Sequence, residues 1–183
     1  LEAAEHFARA GDEERRVRSI DRALAVGGMD PDLLHAQALR DVEAWRLGDA
    51  RAALRRAAGW RPGDLGVQGL LLCVLLDMYR MEEAGAVVEQ VVATRPGHPS
   101  VPLFQAWLEV VGASWEAVPG TTRQAERLLG QRLEVWPDDG ETLWLLGYAL
   151  ATRHPDEALP LLAAAHPILA SPSAATACRL LAP

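Results

Sequence analysis

The sequence contains no lysine and no asparagine, and all eighteen of its basic residues are arginine. That bias fits a GC-rich coding sequence and carries no mechanism. Other scarcities exclude more. Only two cysteines occur, Cys73 and Cys178, each in a leucine-rich helical stretch without Cys/His spacing for zinc, so both are expected as buried thiols and no metal is expected. The longest apolar run, Leu70 to Leu76, is far shorter than the roughly 20 residues that span a bilayer, and no charged-then-apolar leader opens the chain. No membrane insertion is expected, and the reading leans towards the cytoplasm. The chain opens at Leu1, without methionine and already in helical patterning, as an excised piece of a longer protein would. With a formal charge of -7 and arginines interleaved among acids from Asp12 to Arg18 and from Arg51 to Arg56, there is no basic stripe for nucleic acid. No G-x-S-x-G, H-E-x-x-H or Walker loop is present, so neither catalysis nor a cofactor is expected.

Half of the residues are apolar, enough to build a core, and Ala, Leu and Arg lean the composition towards helix. A period then appears. Ala50, Leu54 and Ala57 recur 34 residues later as Ala84, Val88 and Val91, 41 further on as Ala125, Leu129 and Arg132, and 33 after that as Ala158, Leu162 and Ala165. Arg16, Ile20 and Ala23 stand 34 residues upstream of the first set. Each set is spaced i, i+4, i+7, one face of a helix, so one amphipathic helix is written five times. Pro62, Pro96 and Pro137 follow three of these helices, where a residue without an N–H stops further winding. Between them lie partner helices at Leu1 to Ala10, Pro31 to Arg46, Asp64 to Met78, Ser100 to Gly112 and Gly140 to Arg153. The result is five hairpins over about 1–28, 29–62, 63–97, 98–137 and 138–168, with 173–181 as a capping helix or the start of a further repeat. One hairpin cannot bury its own apolar face, so the expected fold is all-α, a right-handed superhelical solenoid of stacked antiparallel helix pairs.

The best-defined pair, ETLWLLGYAL followed by DEALPLLAAA, resembles the tetratricopeptide repeat. Leu143, Leu146, Gly147 and Leu150 hold the first-helix signature places, and Ala158, Leu162 and Ala165 those of the second helix. The resemblance extends over nearly the whole chain. It implies a small residue at the place of Gly147, which Ala38 and Ala106 satisfy and Leu72 does not; Leu72 is expected to spread its pair. Arg16, Arg132 and the longer fourth pair depart from the pattern and are expected to weaken their repeats. The surplus of that pair maps to residues Gly112 to Gly120, a loop between its two helices, where Trp115 is a candidate contact or a ring tucked onto the solenoid.

Some features are read as structural. His98, His154 and His166 each precede a proline, which disfavours helical angles, and mark turns rather than metal ligands. Gly63, Gly66 and Gly69 follow a helix stop, not a strand, and belong to a repeat turn. Trp60 and Trp136 end second helices and are read as packing residues.

The resemblance implies that the first helices line a concave groove for a protein or peptide partner. Carried over by register, the lining falls on Asp32, His35, Leu39, Val42 and Glu43; on Cys73, Leu76 and Asp77; on Leu103, Trp107, Val110 and Val111; and on Glu141, Trp144, Tyr148 and Thr152. His35, Leu39, Trp107, Trp144, Tyr148 and Glu141 are the candidate partner-binding residues. The family's clamp for C-terminal carboxylates uses Lys and Asn, both absent here. The implied function is a protein-interaction scaffold with an apolar, aromatic groove for an amphipathic helix or apolar peptide. Trp107 and Trp144 also fit ordinary inter-repeat packing. The alternative is a helical-repeat sensor or regulatory region of a larger bacterial signalling or transcription-regulating protein. Self-association is compatible with either.

Overall fold

A computed structural model describes Arg15, Arg18, Ser19, Arg22 and residues 30–116, 123–151 and 153–169. Among these residues there are eight helices and no strand: α1 Pro31–Glu43, α2 Leu47–Trp60, α3 Leu65–Asp77, α4 Met81–Thr94, α5 Val101–Glu116, α6 Arg123–Val135, α7 Gly140–Leu150 and α8 Pro155–Leu169. The expected first hairpin and the 173–181 stretch lie outside the described residues. The chain forms two compact units, Leu1–Val74 and Leu75–Pro183, with the division falling inside α3.

In the first unit, Pro31 opens α1 with the φ a first turn needs, and the Asp30 carboxylate accepts a hydrogen bond from the Asp32 N–H at 2.9 Å. α1 packs on α2 through Ala50, Leu54 and Ala57, all fully buried, with Ala38 buried opposite. Small residues let the two backbones approach closely. The Arg61 guanidinium grips Asp32 with two bonds, of 2.5 and 3.0 Å, and ties the end of α2 to the start of α1. At the start of α3, Asp64 accepts bonds from the N–H groups of Gly66 and Val67, and buried Gln68 donates its side-chain N–H to the Pro62 carbonyl at 2.9 Å.

In the second unit each of α4 to α8 packs on the next, and α5 also touches α7, the first helix of the following pair. This is the contact pattern of stacked hairpins. The alanine register holds: Ala84, Ala125, Ala158 and Ala165 are all buried. At Gly147 the approach is closest, since a Cβ there would lie 2.8 Å from Leu162 Cγ and 3.2 Å from the Ala158 carbonyl oxygen. Leu72, the bulky exception, is itself fully buried in the first unit.

Several expectations are corrected. α1, α3 and α7 end earlier than the periodicity suggested. α1 stops because Trp45 turns into the left-handed region at φ 57°, with its own N–H on the Val42 carbonyl and the Arg46 N–H on the Asp41 carbonyl. Tyr79, 34 residues on, repeats this at φ 57°, with the Arg80 N–H on the Leu75 carbonyl. Both are Schellman stops with an aromatic residue where glycine is usual. Helix α5 continues to Glu116, so the first part of the expected 112–120 loop is helical. Helix α8 runs through His166 and Pro167, because a late proline forfeits only one backbone bond and does not oblige the helix to end. Trp60 and Trp136 are exposed rather than packed. Cys73 is half-buried, and Cys178 lies outside the described residues.

Arg132 does the opposite of what its departure from alanine suggested. Its side chain donates to Asp139 Oδ2 at 2.7 Å, to Thr142 Oγ1 at 3.0 Å and to the Pro99 carbonyl at 2.5 Å, and its guanidinium lies 4.7 Å from the centre of the Trp136 ring. From α6 it thus joins the turn before α5 to the turn before α7. Arg132→Ala is expected to lower stability by about 2 kcal/mol in chemical denaturation, since it strands partly buried charge-assisted bonds; a loss below about 0.5 kcal/mol would show the network to be ornamental. Gly147→Ala is expected to cost about 1 kcal/mol, overpacking against Leu162 outweighing the gain in helix propensity. Gly130→Ala, whose Cβ would meet nothing within 4 Å, is expected to raise the melting temperature. Trp45→Gly and Tyr79→Gly, at residues 63% and 60% exposed, are expected to stabilise by about 0.5–1 kcal/mol through relief of the left-handed backbone; a loss instead would mean that the rings pack.

Candidate functional site

The helix spacing that buries α7 also orders its other side. Trp144 and Tyr148 stand i, i+4, so their side chains lie over one another, and the rings stack at 5.4 Å between centroids with 12° between planes. Trp107, on α5, stacks on Trp144 at 5.9 Å and 26°. Three of the sequence-predicted residues therefore form one aromatic ladder. Its members differ in exposure: Trp107 is buried, Trp144 is half-buried against the core of Leu143 and Ala165, and Tyr148 is 41% exposed. The inner ring of the ladder, Trp107, is covered, while the outer ring is open to solvent.

Glu141 lies one turn before Trp144 on α7 and is solvent-accessible. Its carboxyl is pushed above the usual range, first by desolvation from the surrounding protein and then by Asp139, with Arg132 opposing. Arg132 is held by Asp139, Thr142 and Pro99, which leaves its charge largely spoken for. Asp77, at the end of α3, is pushed up to about 7 by burial, with no cation offsetting it. Its Oδ2 is buried without a hydrogen-bond partner, as is Oε1 of Glu109 on α5. Glu109 was not singled out in the sequence, where a glutamate within a helix carries no mark of burial.

His35 and Leu39 belong to the first unit, one turn apart on α1 and both half-buried. Burial lowers the His35 pKa, against the raising influence of Asp64 and Asp32. On the opposite side of α1, Gln37, Arg40 and Asp41 join Arg46, Asp49 and Arg56 around a recess of about 310 Å³. Asp41 is buried beneath Arg46, whose Nη2 donates to it at 2.6 Å. Three guanidiniums face two carboxylates there, and the charges nearly cancel. The side chains of Trp115 and Thr152 lie outside the described residues. Among the described residues no group of three or more His, Cys, Asp or Glu side chains is placed to hold a metal ion, and no helix is long and apolar enough to cross a membrane.

No family model and no curated protein matches the chain. Solved structures do. The fold is similar to a crystal structure of MamA, with a TM-score of 0.61 and 14% identity over 91% of this chain and 94% of that one. It is also similar to the MamA RS-1 ArsTM double mutant, at 0.60 and 15% over 90% and 89%, and to MamA MSR-1 C2, at 0.55 and 17% over 90% and 91%. MamA contains tetratricopeptide repeats, and the likeness extends to the fold: an all-helical, tetratricopeptide-like repeat.

The buried carboxyl gives a pH signature. Since Asp77 titrates near 7 in the folded chain and about 3.9 unfolded, the folded state holds the proton more tightly, and stability is lost as pH rises from about 4 through 7. Asp77→Asn is therefore expected to melt above the parent at pH 8 and together with it at pH 4. Equal melting at both values would mean that Asp77 ionises without cost.

Proposed function

We propose that this chain is a protein-interaction scaffold and that its second unit binds a polypeptide segment on the face carrying Trp107, Trp144 and Tyr148, without covalent chemistry. The observation that carries this reading is the ladder itself. Two inner rings fix the outer one, so Tyr148 offers its apolar area with little side-chain freedom left to lose on binding. A ring needed only for packing gains nothing from 41% exposure. Leu103, Val110 and Val111, buried on α5, provide the firm backing such a surface needs. Glu141 adds a polar edge. His35 and Leu39 are proposed as contact residues of the first unit by itself.

Support of a coarser kind comes from the fold, whose solved neighbours are repeat proteins of the scaffold type. A photo-crosslinking residue at position 148 tests the assignment, with the same residue at position 60, exposed on the first unit, as the control. Expressed in the source cells, the chain labelled at 148 is expected to yield a discrete polypeptide adduct that the chain labelled at 60 does not. Identical adducts from both positions, or none from 148, would remove the ladder from consideration as the binding face.

A further inference from the structure

Resting on the reading of the α5–α7 face as a peptide-binding surface, we infer that its partner is a basic apolar segment, one that sets an arginine or lysine against Tyr148 and Glu141 while its apolar side chains cover the aromatic ladder. The argument is one of charge complementarity. The places assigned to the groove in the second unit are Leu76, Asp77, Leu103, Trp107, Val110, Val111, Glu141, Trp144 and Tyr148, which include two carboxylates and no basic residue. Asp77 has a buried oxygen with no hydrogen-bond partner. Buried carboxylate oxygens are normally paired, and leaving one unpaired costs free energy that an incoming cation would return.

The basic side chain whose charge acts on Glu141 cannot supply that cation from within. Arg132, the one whose charge reaches Glu141, is already bound to Asp139, Thr142 and the Pro99 carbonyl, and its guanidinium faces Trp136. Moving it would break the ties between three segments. The aromatic side of the surface favours the same sign of charge: the face of an aromatic ring is negative, and the half-open Tyr148 ring is available to a guanidinium or ammonium group. An acidic segment would meet repulsion at Glu141 and Asp77 as well as at the ring face, in a chain that already carries a net charge of -7.

The test is a selection of randomised twelve-residue peptides displayed against the whole chain, counter-selected on Tyr148→Ala, an exposed position whose loss leaves the helical content measurable by circular dichroism. Peptides that prefer the parent are expected to be enriched in Arg or Lys among apolar residues. Their affinity should weaken about tenfold between 50 mM and 500 mM salt. Glu141→Gln, conservative and solvent-accessible, should weaken them about threefold and flatten the salt dependence. Enriched peptides without an excess of basic residues, or with affinity indifferent to salt, would overturn the inference while leaving the binding face intact. If no peptide distinguishes the parent from Tyr148→Ala, the binding face itself falls, and this inference with it.

Discussion

Everything in this chain depends on how closely two helices can approach. The hairpins close where alanines and one glycine replace bulk: Ala38, Ala50 and Ala57 are buried in the first unit, Ala84, Ala106 and Ala125 in the second, where Gly147 also lies against Ala158 and Leu162. A close-packed interior has no slack to absorb even one additional carbon at such a point. Only after the backbones are near do Leu54, Val88 and Leu129 reach across and exclude water. The same closeness fixes α5 against α7, and that distance is what allows Trp107 to stack on Trp144. The aromatic surface is thus a product of the small residues behind it.

The repeat was legible because it is written in a periodicity that burial enforces. The register alanines Ala50, Ala84, Ala125 and Ala158 are all buried, and the 34-residue recurrence of Ala50 in Ala84 sufficed to find it. Helix ends were read less well, for physical reasons. A Trp or Tyr in the left-handed region looks in sequence like one more helical residue, so α1 and α3 were drawn too long. His166-Pro167 looks like a stop, yet a helix in its last turns tolerates the loss of one bond.

For the candidate site, register placed Trp107, Trp144 and Tyr148 on one surface, and it did so because first helices repeat as regularly as second ones. It did not disclose which ring would be covered. That depends on the neighbours contributed by other helices, such as Ala165 of α8 in the core against which Trp144 packs. The electrostatics were hidden for a similar reason. Asp77 and Glu109 look like ordinary helical acids, and only their surroundings deprive them of water and of partners. Arg132 shows the converse: it reads as an error in the pattern and turns out to bind Asp139, Thr142 and the Pro99 carbonyl while facing Trp136.

That last feature bears on how such an array comes apart. A stack of repeats behaves as a row of elements coupled to their nearest neighbours, able to fray from either end one hairpin at a time. Arg132 adds a coupling that is not nearest-neighbour in sequence, because the Pro99 carbonyl and the Asp139 carboxylate belong to turns on either side of a full helix pair. Fraying that begins at α8 must break the bonds to Asp139 and Thr142 before it can pass α7, whereas the bond to Pro99 lies within the α5–α6 pair. The last two described hairpins are thereby latched to each other at the turn before α7, the helix that carries Tyr148.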